Sequence, residues 1–467
     1  MKNGEETTLV AVREKQQRNT DSIPTPILDS VVEIDSAPVP RSSSSVDLPP
    51  GKKPIGSKWV YKVKLRPDGS VDIYKARLVA KGYNQVEGVD YVDRFSPVAK
   101  AVTVRLLLAV ASSKNWPIQQ IDINNAFLHG FLDEDIYLTA PDGYPIPAGK
   151  VCKLKRSLYG LKQASRQWNQ ELTSQLICYG FSQSPHDHCL FTQQTTDGFL
   201  VPLVYVDDVL ITGSSQLQID KVKHFLHSTF TIKYLGPAKY FLDLEIARST
   251  EGLFVTQHKY IRDIILDTGL QNSKPATTPL PTGLKFSAHD VVPLHDPEPY
   301  RRLVGRLLYL SFTRPDISFG VQQLSQFVHQ PGQIHMDAAL HLVRYLKGCP
   351  DRGLFFSSSN SFTFTAFCDA DWASWVDSHR SLTGYCIFLG QALISWKTKK
   401  QTTVARSTAE AEYRSLGTTV CELQWISYLL SDFHISVPRP IPVYCDNQAA
   451  IHIVANPIFH ERTKLGD

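Results

Sequence analysis

Apolar and polar positions alternate along "SKWVYKVKL" and again along "VDIYKARLVA", and Pro-Asp-Gly joins the two runs. Alternation with period two predicts strands, and Asp-Gly suits a tight reversal, so residues 57–82 are expected to form a β-hairpin. The period lengthens in "TVRLLLAVASSKNW" (103–116), which predicts a helix. "IQQIDINNAFLHG" (118–130) predicts a strand leading into a turn or short helix. "LKQASRQWNQELTSQLICYGF" (161–181) has helical spacing, with Gly180 placed to end it. In "LVYVDDVLITG" (203–213) two short β-rich runs flank Asp207 and Asp208, which predicts a hairpin with carboxylates at its tip. Residues 239–257 are strand-rich. Residues 258–350 are mostly helical around a Pro-rich break at 275–299, and "MDAALHLVRYLKG" (336–348) is the clearest amphipathic helix there. From Ser361 the pattern predicts a strand (362–372), two more strands (384–400), a helix (407–433) and a strand running into a helix (441–455), an α/β domain. The helix at 407 opens with Ser407 and Glu410 as a capping box. Its expected apolar face is Ala409, Tyr413, Leu416, Val420, Leu423 and Trp425 to Leu430. Residues 1–53, rich in Pro and Ser and without lasting period, are expected to be a disordered lead, with order beginning near Ile55.

Length changes this picture by implying two or three domains in 467 residues. No apolar run reaches the roughly 20 residues of a membrane helix. The N-terminus lacks a signal-peptide core, so an intracellular protein, cytoplasmic or nuclear, is expected. The eight cysteines include no Cys-x-x-Cys pair. That argues against a zinc ribbon or disulfide framework and for buried free thiols. Net charge is +4, yet residues 51–170 carry 19 Lys and Arg against 10 Asp and Glu. A basic half suggests a polyanionic partner, although a solvated face explains the same surplus.

Candidate chemistry centres on Asp207 and Asp208. An isolated Asp-Asp is ordinarily a solvated turn. Between two runs apolar enough to be central strands, two adjacent anions raise each other's energy unless a cation compensates. Mg²⁺ is a hard ion that takes carboxylate and phosphate oxygens. Asp122, at the end of "IQQIDI", supplies a third carboxylate. An Asp on one strand beside an Asp-Asp hairpin is what a two-metal phosphoryl-transfer site needs.

The blocks "KWVYKVKLRPDGSVDIYKARLVAKGYNQVEGVDYVDRFSPV", "IDINNAFLHGFLDEDIYL", "KLKRSLYGLKQASRQWN" and "YVDDVLITG" closely resemble the reverse transcriptase of copia-type LTR retrotransposons. "FCDADWASWVDSHRSLTGYCIFLGQALISWKTKKQTTVARSTAEAEYRSL" and "VYCDNQAAIHIVANPIFHERTK" resemble the RNase H of the same elements. The likeness runs collinearly from about Lys53 to Lys464. It implies a right-hand α+β polymerase, with fingers and palm over 54–245 and a thumb and connection over 246–360. An incomplete α/β RNase H-like domain over 361–467 would follow. Template with primer, RNA–DNA hybrid and dNTPs are the implied partners. Two Mg²⁺ or Mn²⁺ ions per active site are the implied cofactors. By the resemblance Asp122, Asp207 and Asp208 are polymerase metal ligands, and Phe127 is the aromatic gate that excludes a ribose 2′-hydroxyl. Backbone amides around Asn125 and Ala126 hold the triphosphate, Lys75 and Arg77 are candidate triphosphate contacts, and Tyr159 and Gly160 line the nucleotide pocket. A core Phe and surface charge remain the bland readings of Phe127 and of Lys75 with Arg77.

The resemblance likewise makes Asp369, Glu412 and Asp446 catalytic carboxylates and metal ligands of the RNase H, with Glu410 and Asp371 nearby. The family's fourth carboxylate falls about two residues beyond Asp467, so weak or absent RNA cleavage is expected. The chain reads as a piece of a Pol polyprotein or one decayed copy. Three departures from the family's pattern are Ser165 for Pro, Tyr234 for Asp, and Asp243 at a position that prefers Gly. Two further readings stay open: a catalytically inactive nucleic-acid-binding remnant, and an inert product of a degenerate insertion.

Overall fold

The computed structural model describes residues 45–66, 68–283, 286 and 292–456. They fall into two compact units, one of residues up to Pro97 with Asn125–Cys178, the other of Val98–Asn124 with everything from Tyr179.

The first unit contains the expected hairpin, Ser57–Leu65 against Val71–Ala80. It also contains a three-stranded antiparallel sheet of Ser45–Asp47, Lys150–Arg156 and Phe131–Leu138. Ser45–Asp47 lies inside the lead expected to be disordered. It is an edge strand paired to Lys150–Cys152, with Asp47 bonded to the Lys150 ammonium at 2.7 Å. Three residues are too few to show a period, so sequence patterning passes over such a strand. Residues 1–44 of that lead lie outside the described residues, whereas 48–53 are described and turn at Pro49, whose carbonyl accepts from Lys52 N (3.2 Å). A small core of Ile55, Ala80, Ile136, Leu138, Leu161 and Ala164 closes the unit.

The second unit holds a six-stranded sheet in the order Ile232–Pro237, Ile118–Ile123, Asp208–Gly213, Gly198–Tyr205, Phe191–Thr195, Ser182–Gln183. Its central strands are buried on both faces, which is why "LVYV" and "VLIT" are continuous apolar runs. A second, four-stranded sheet (Tyr240–Phe241, Leu244–Arg248, Gly252–Thr256, Leu354–Ser357) follows, with the helices His258–Asp267, Glu298–Leu310, Ser318–Ser325 and Gln333–Gly348. The hairpin between the first two strands of this sheet turns through Leu242 and Asp243, both at positive φ (49° and 54°). This is the two-residue turn that favours Asn-Gly.

The last sheet orders Ala392–Lys400, Leu382–Leu389, Phe364–Asp371 and Val443–Tyr444, the final pair parallel. The helix Thr408–Asp432 lies against it, on the expected face from Leu423 onward (Leu423, Ile426, Leu429 and Leu430 are buried) but on a different one in its first half. Val420 is 51% exposed, whereas Ala411, Ser415, Thr419, Leu423 and Ile426 are buried. Small side chains win because the helix sits close to the strands, and Ser415 Oγ donates to Asp369 O (2.9 Å) and Gly384 O (3.3 Å). The capping box is also half as expected. Ser407 Oγ accepts from Glu410 N, but Glu410 Oε2 accepts from Arg406 N, and its other oxygen pairs with Arg414 at 2.9 Å.

The helix Ala101–Ser113 is buried from Thr103 to Ser112, all the way round. It shares one core with Val201, Leu203 and Leu210 of the six-stranded sheet and with Ile387, Ile394, Ile426 and Leu430 of the last sheet and helix. Arg105 of this helix is 5% exposed. Its guanidinium lies 3.8 Å from the centre of the Trp396 ring, and Nη1 donates to Phe312 O (3.1 Å). Burial pulls it down to about 9, and the charge of Glu422 opposes that fall. Of the eight cysteines all are free, but only Cys189 and Cys368 are buried, and Cys178 and Cys421 face solvent. Among the described residues no helix is long and apolar enough to cross a membrane.

Candidate active sites

Asp208 begins its strand directly opposite Asp122 and, on the other side, opposite Tyr205. Cross-strand partners share a face with their side chains close, so Asp122 and Asp208 are adjacent like charges. Val206 and Asp207 form the two-residue turn, and Ile123 N donates to Asp207 O (2.9 Å), which ties the turn to the strand of Asp122. Val206 has φ 57°, a costly conformation for a β-branched residue, of the kind that strong surroundings impose at functional sites. Burial pushes the Asp208 carboxyl up to about 6; a hydrogen bond from Gln120 Nε2 (3.3 Å) opposes this, and the charges of Asp207 and Asp122 add to it. Lys233 stands opposite Asp122 on the next strand, which places a cation in the same row.

The sequence reading missed Gln120, Lys233 and the strained Val206. Gln120 was findable, two residues before Asp122 on the same strand face. Lys233 was not, because strand order is not written in the period.

The seven candidate nucleotide contacts belong to the first unit. There the Arg77 guanidinium lies 5.1 Å from the centre of the Tyr159 ring, and the Phe127 ring meets Tyr159 edge-on at 5.2 Å. Phe127 is also half-buried against the small core, so its bland role is real as well. Ala80 N donates to Tyr159 O (2.7 Å). Gly160 has φ 91°, and a Cβ there would stand 2.2 Å from Ala80 O, so only glycine fits. Asn125, at φ 53°, turns the chain into the short 3₁₀ turn Ala126–Leu128. Strand register puts Lys58, Lys62, Lys64, Lys75 and Arg77 on one face of the hairpin, and Trp59, Tyr61, Val63 and Tyr74 on the other.

The second cluster forms where the parallel strands part. Their ladder ends at Phe367↔Tyr444, so Asp369 and Asp446 follow at the open end. Glu412 reaches them from the helix beneath, with Oε1 accepting from Ala370 N (3.1 Å) and Oε2 facing the Cys445 thiol at 3.7 Å. Burial raises Glu412 to about 7; the Ala370 bond opposes the rise, and the charges of Asp369 and Asp446 add to it. Burial, then Asp369, also raises Asp371. Ligand atoms of Glu412, Cys445 and Asp446 lie within 4.8 Å of one another. "HERTK" and Asp467 lie outside the described residues.

Residues 42–282 match the family model described as reverse transcriptase (RNA-dependent DNA polymerase). The chain belongs to this family. It is 45% identical over 412 residues to the retrovirus-related Pol polyprotein from transposon RE1 of Arabidopsis thaliana, a match covering 88% of this chain and 28% of that one. To the Pol polyprotein from transposon RE2 of the same plant it is 43% identical, covering 89% and 29%. This reverse transcriptase is thus of the copia-type Pol class and spans under a third of the length of these relatives. The foamy viral protease–reverse transcriptase, solved in complex with RNA/DNA hybrid, superposes on 86% of this chain and 46% of its own. With 13% identity and a TM-score of 0.40, that overlay is too loose to carry an argument.

Proposed function

We propose that this reverse transcriptase is an RNA-directed DNA polymerase that transfers dNTPs to a primer 3′-hydroxyl at Asp122, Asp207 and Asp208. In this reading residues 54–245 are fingers and palm of a right-hand polymerase, 246–360 its thumb and connection, and 361–467 an RNase H-like domain. The observation that carries it is the register that sets Asp208 opposite Asp122 with Asp207 in the adjoining turn. Like charges in direct cross-strand contact are destabilising and persist where a cation is to be held. The donors are all carboxylate oxygens, which suits Mg²⁺ or Mn²⁺. Asp122, Asp207 and Asp208 would hold a pair of such ions, which would supply positive charge for activating the 3′-hydroxyl and stabilising the leaving pyrophosphate.

The chain's own residues do the rest. Gln120 fixes the rotamer of Asp208, and the bond from Ile123 to Asp207 O holds the strained turn. Arg77, Lys75 and the amides at Asn125 and Ala126 take the triphosphate. Phe127, braced by Tyr159, occupies the space of a 2′-hydroxyl, and Gly160 lets the backbone of Tyr159 approach Ala80. The basic hairpin face tracks a nucleic-acid backbone, as phosphate contacts require. Asp369, Glu412 and Asp446 would hold the ions that hydrolyse the RNA strand of a hybrid.

Primer extension on an RNA template, with Mg²⁺ and Mn²⁺ tested separately, checks the polymerase reading. Wild-type extension that disappears in Asp207→Asn/Asp208→Asn is the expected result. Extension that survives the double change refutes the site. A folded chain that binds hybrid in a salt-sensitive way without extending it points instead to a binding remnant.

A further inference from the structure

The second carboxylate cluster contains a donor that a hard cation does not use. Cys445 immediately precedes Asp446, and its sulfur faces Oε2 of Glu412 at 3.7 Å. Glu412 is 5% exposed, and the partners found for its oxygens are one backbone N–H and this thiol, a weak donor. Among the described residues no cation is paired with it. Ligand atoms of Glu412, Cys445 and Asp446 lie within 4.8 Å of one another. Zinc bonds of about 2.0–2.3 Å place tetrahedral donors roughly 3.5 Å apart, which side-chain torsions reach from that spacing. Cys445 is half-buried and Asp446 exposed, whereas neighbouring Cys368 is buried and donates to Tyr444 O (3.5 Å).

We propose that Glu412, Cys445 and Asp446 form a site for a thiophilic divalent cation of the Zn²⁺ and Cd²⁺ class, bound through the Cys445 sulfur. The thiol releases its proton to solvent as the metal–sulfur bond forms. The ion exchanges bound water for three protein ligands, and nothing is oxidised or reduced. Soft thiolate plus carboxylate selects such ions over Mg²⁺, which shares only the two carboxylates. A thiophilic ion therefore displaces the hard ions from Glu412 and Asp446 and blocks any hydrolysis they support. The inference takes its location from the proposed nuclease centre but does not need that centre to be active.

The test uses the full chain with the exposed Cys178 and Cys421 changed to Ser. Cd²⁺ is titrated in an excess of Mg²⁺, and the ultraviolet thiolate-to-cadmium charge-transfer band is recorded. The expected result is one thiolate band per chain, abolished by Cys445→Ser and kept in Cys368→Ser. Asp446→Asn, which leaves the thiol in place, is expected to weaken Cd²⁺ beyond the roughly 10–100-fold that loss of a supporting hydrogen bond gives. Absence of the band, its survival in Cys445→Ser, or unchanged affinity in Asp446→Asn overturns the assignment. Hybrid hydrolysis with Mg²⁺ is measured in parallel. Hydrolysis without a cadmium band refutes this inference and leaves the nuclease reading standing. A band without hydrolysis supports the inference and refutes the nuclease reading.

Discussion

Replacing Asp208 with Asn is expected to abolish polymerisation and yet stabilise the metal-free protein. The carboxyl of Asp208 is raised from 3.8 to about 6, by burial first and then by Asp207 and Asp122. In the unfolded chain the group ionises near 3.8, while the folded chain holds the proton until about 6. The unfolded state therefore binds fewer protons between those values, and stability falls as pH rises through that window. The gap corresponds to about 3 kcal/mol at neutral pH. Asp208 is partly open to water, and screening reduces this to about 1–2 kcal/mol. Asn keeps the shape and the oxygen that accepts from Gln120, and it removes the charge. Urea unfolding in chelator at pH 7.5 is expected to show Asp208→Asn more stable by that amount. At pH 4 the difference should vanish, because the wild-type group is then protonated. Mg²⁺ should stabilise the wild type and not the variant. A variant less stable than wild type at pH 7.5, or an equal gain at both pH values, refutes the account of a charge held ready for a cation.

Other perturbations follow from particular contacts. Asp243→Gly, which frees the turn at Leu242–Asp243 from one left-handed non-glycine residue, is expected to raise stability by about 0.5–1 kcal/mol in urea melts, less any loss of the Tyr240–Asp243 hydrogen bond. Gly160→Ala forces a Cβ against Ala80 O at positive φ, and a loss of at least about 2 kcal/mol is expected in denaturant melts. Phe127→Ala is expected to admit ribonucleotides in primer extension, and unchanged sugar selectivity would refute its role as gate. Arg105→Met, which leaves Glu422 without its cation and Phe312 O without its donor, is expected to cost about 3 kcal/mol in thermal or urea unfolding.

What the chain disclosed in advance and what it withheld divide along physical lines. Hairpins announced themselves because period two and Asp-Gly act locally, and the Asp-Asp turn stood out as charge inside apolar runs. Asp122 and Asp208 were legible one at a time, but their pairing residue for residue was not, since register depends on the whole sheet. The face of the helix Thr408–Asp432 was read correctly from Leu423 onward and misread before it, because hydrophobicity was taken as the guide to burial. Close approach to a sheet instead selects Ser415 and Thr419 and leaves Val420 outside. Leu242 gave no warning of its left-handed backbone, which the surrounding strands impose. Cys445 drew no notice, because what makes it interesting is a carboxylate 33 positions earlier in the chain.

The burial of the helix Ala101–Ser113 in one shared core has a consequence for inheritance. One core joins its buried side chains to strands of the sheet that bears Asp122 and Asp208 and to strands of the sheet that bears Asp369. A lesion under Ile387 or Leu430 therefore strikes the sheet of Asp122 and Asp208 as surely as that of Asp369. Fragments carrying one lesion each should fail to complement, and a swap of either part between relatives should succeed only if the facing half of this helix travels with it.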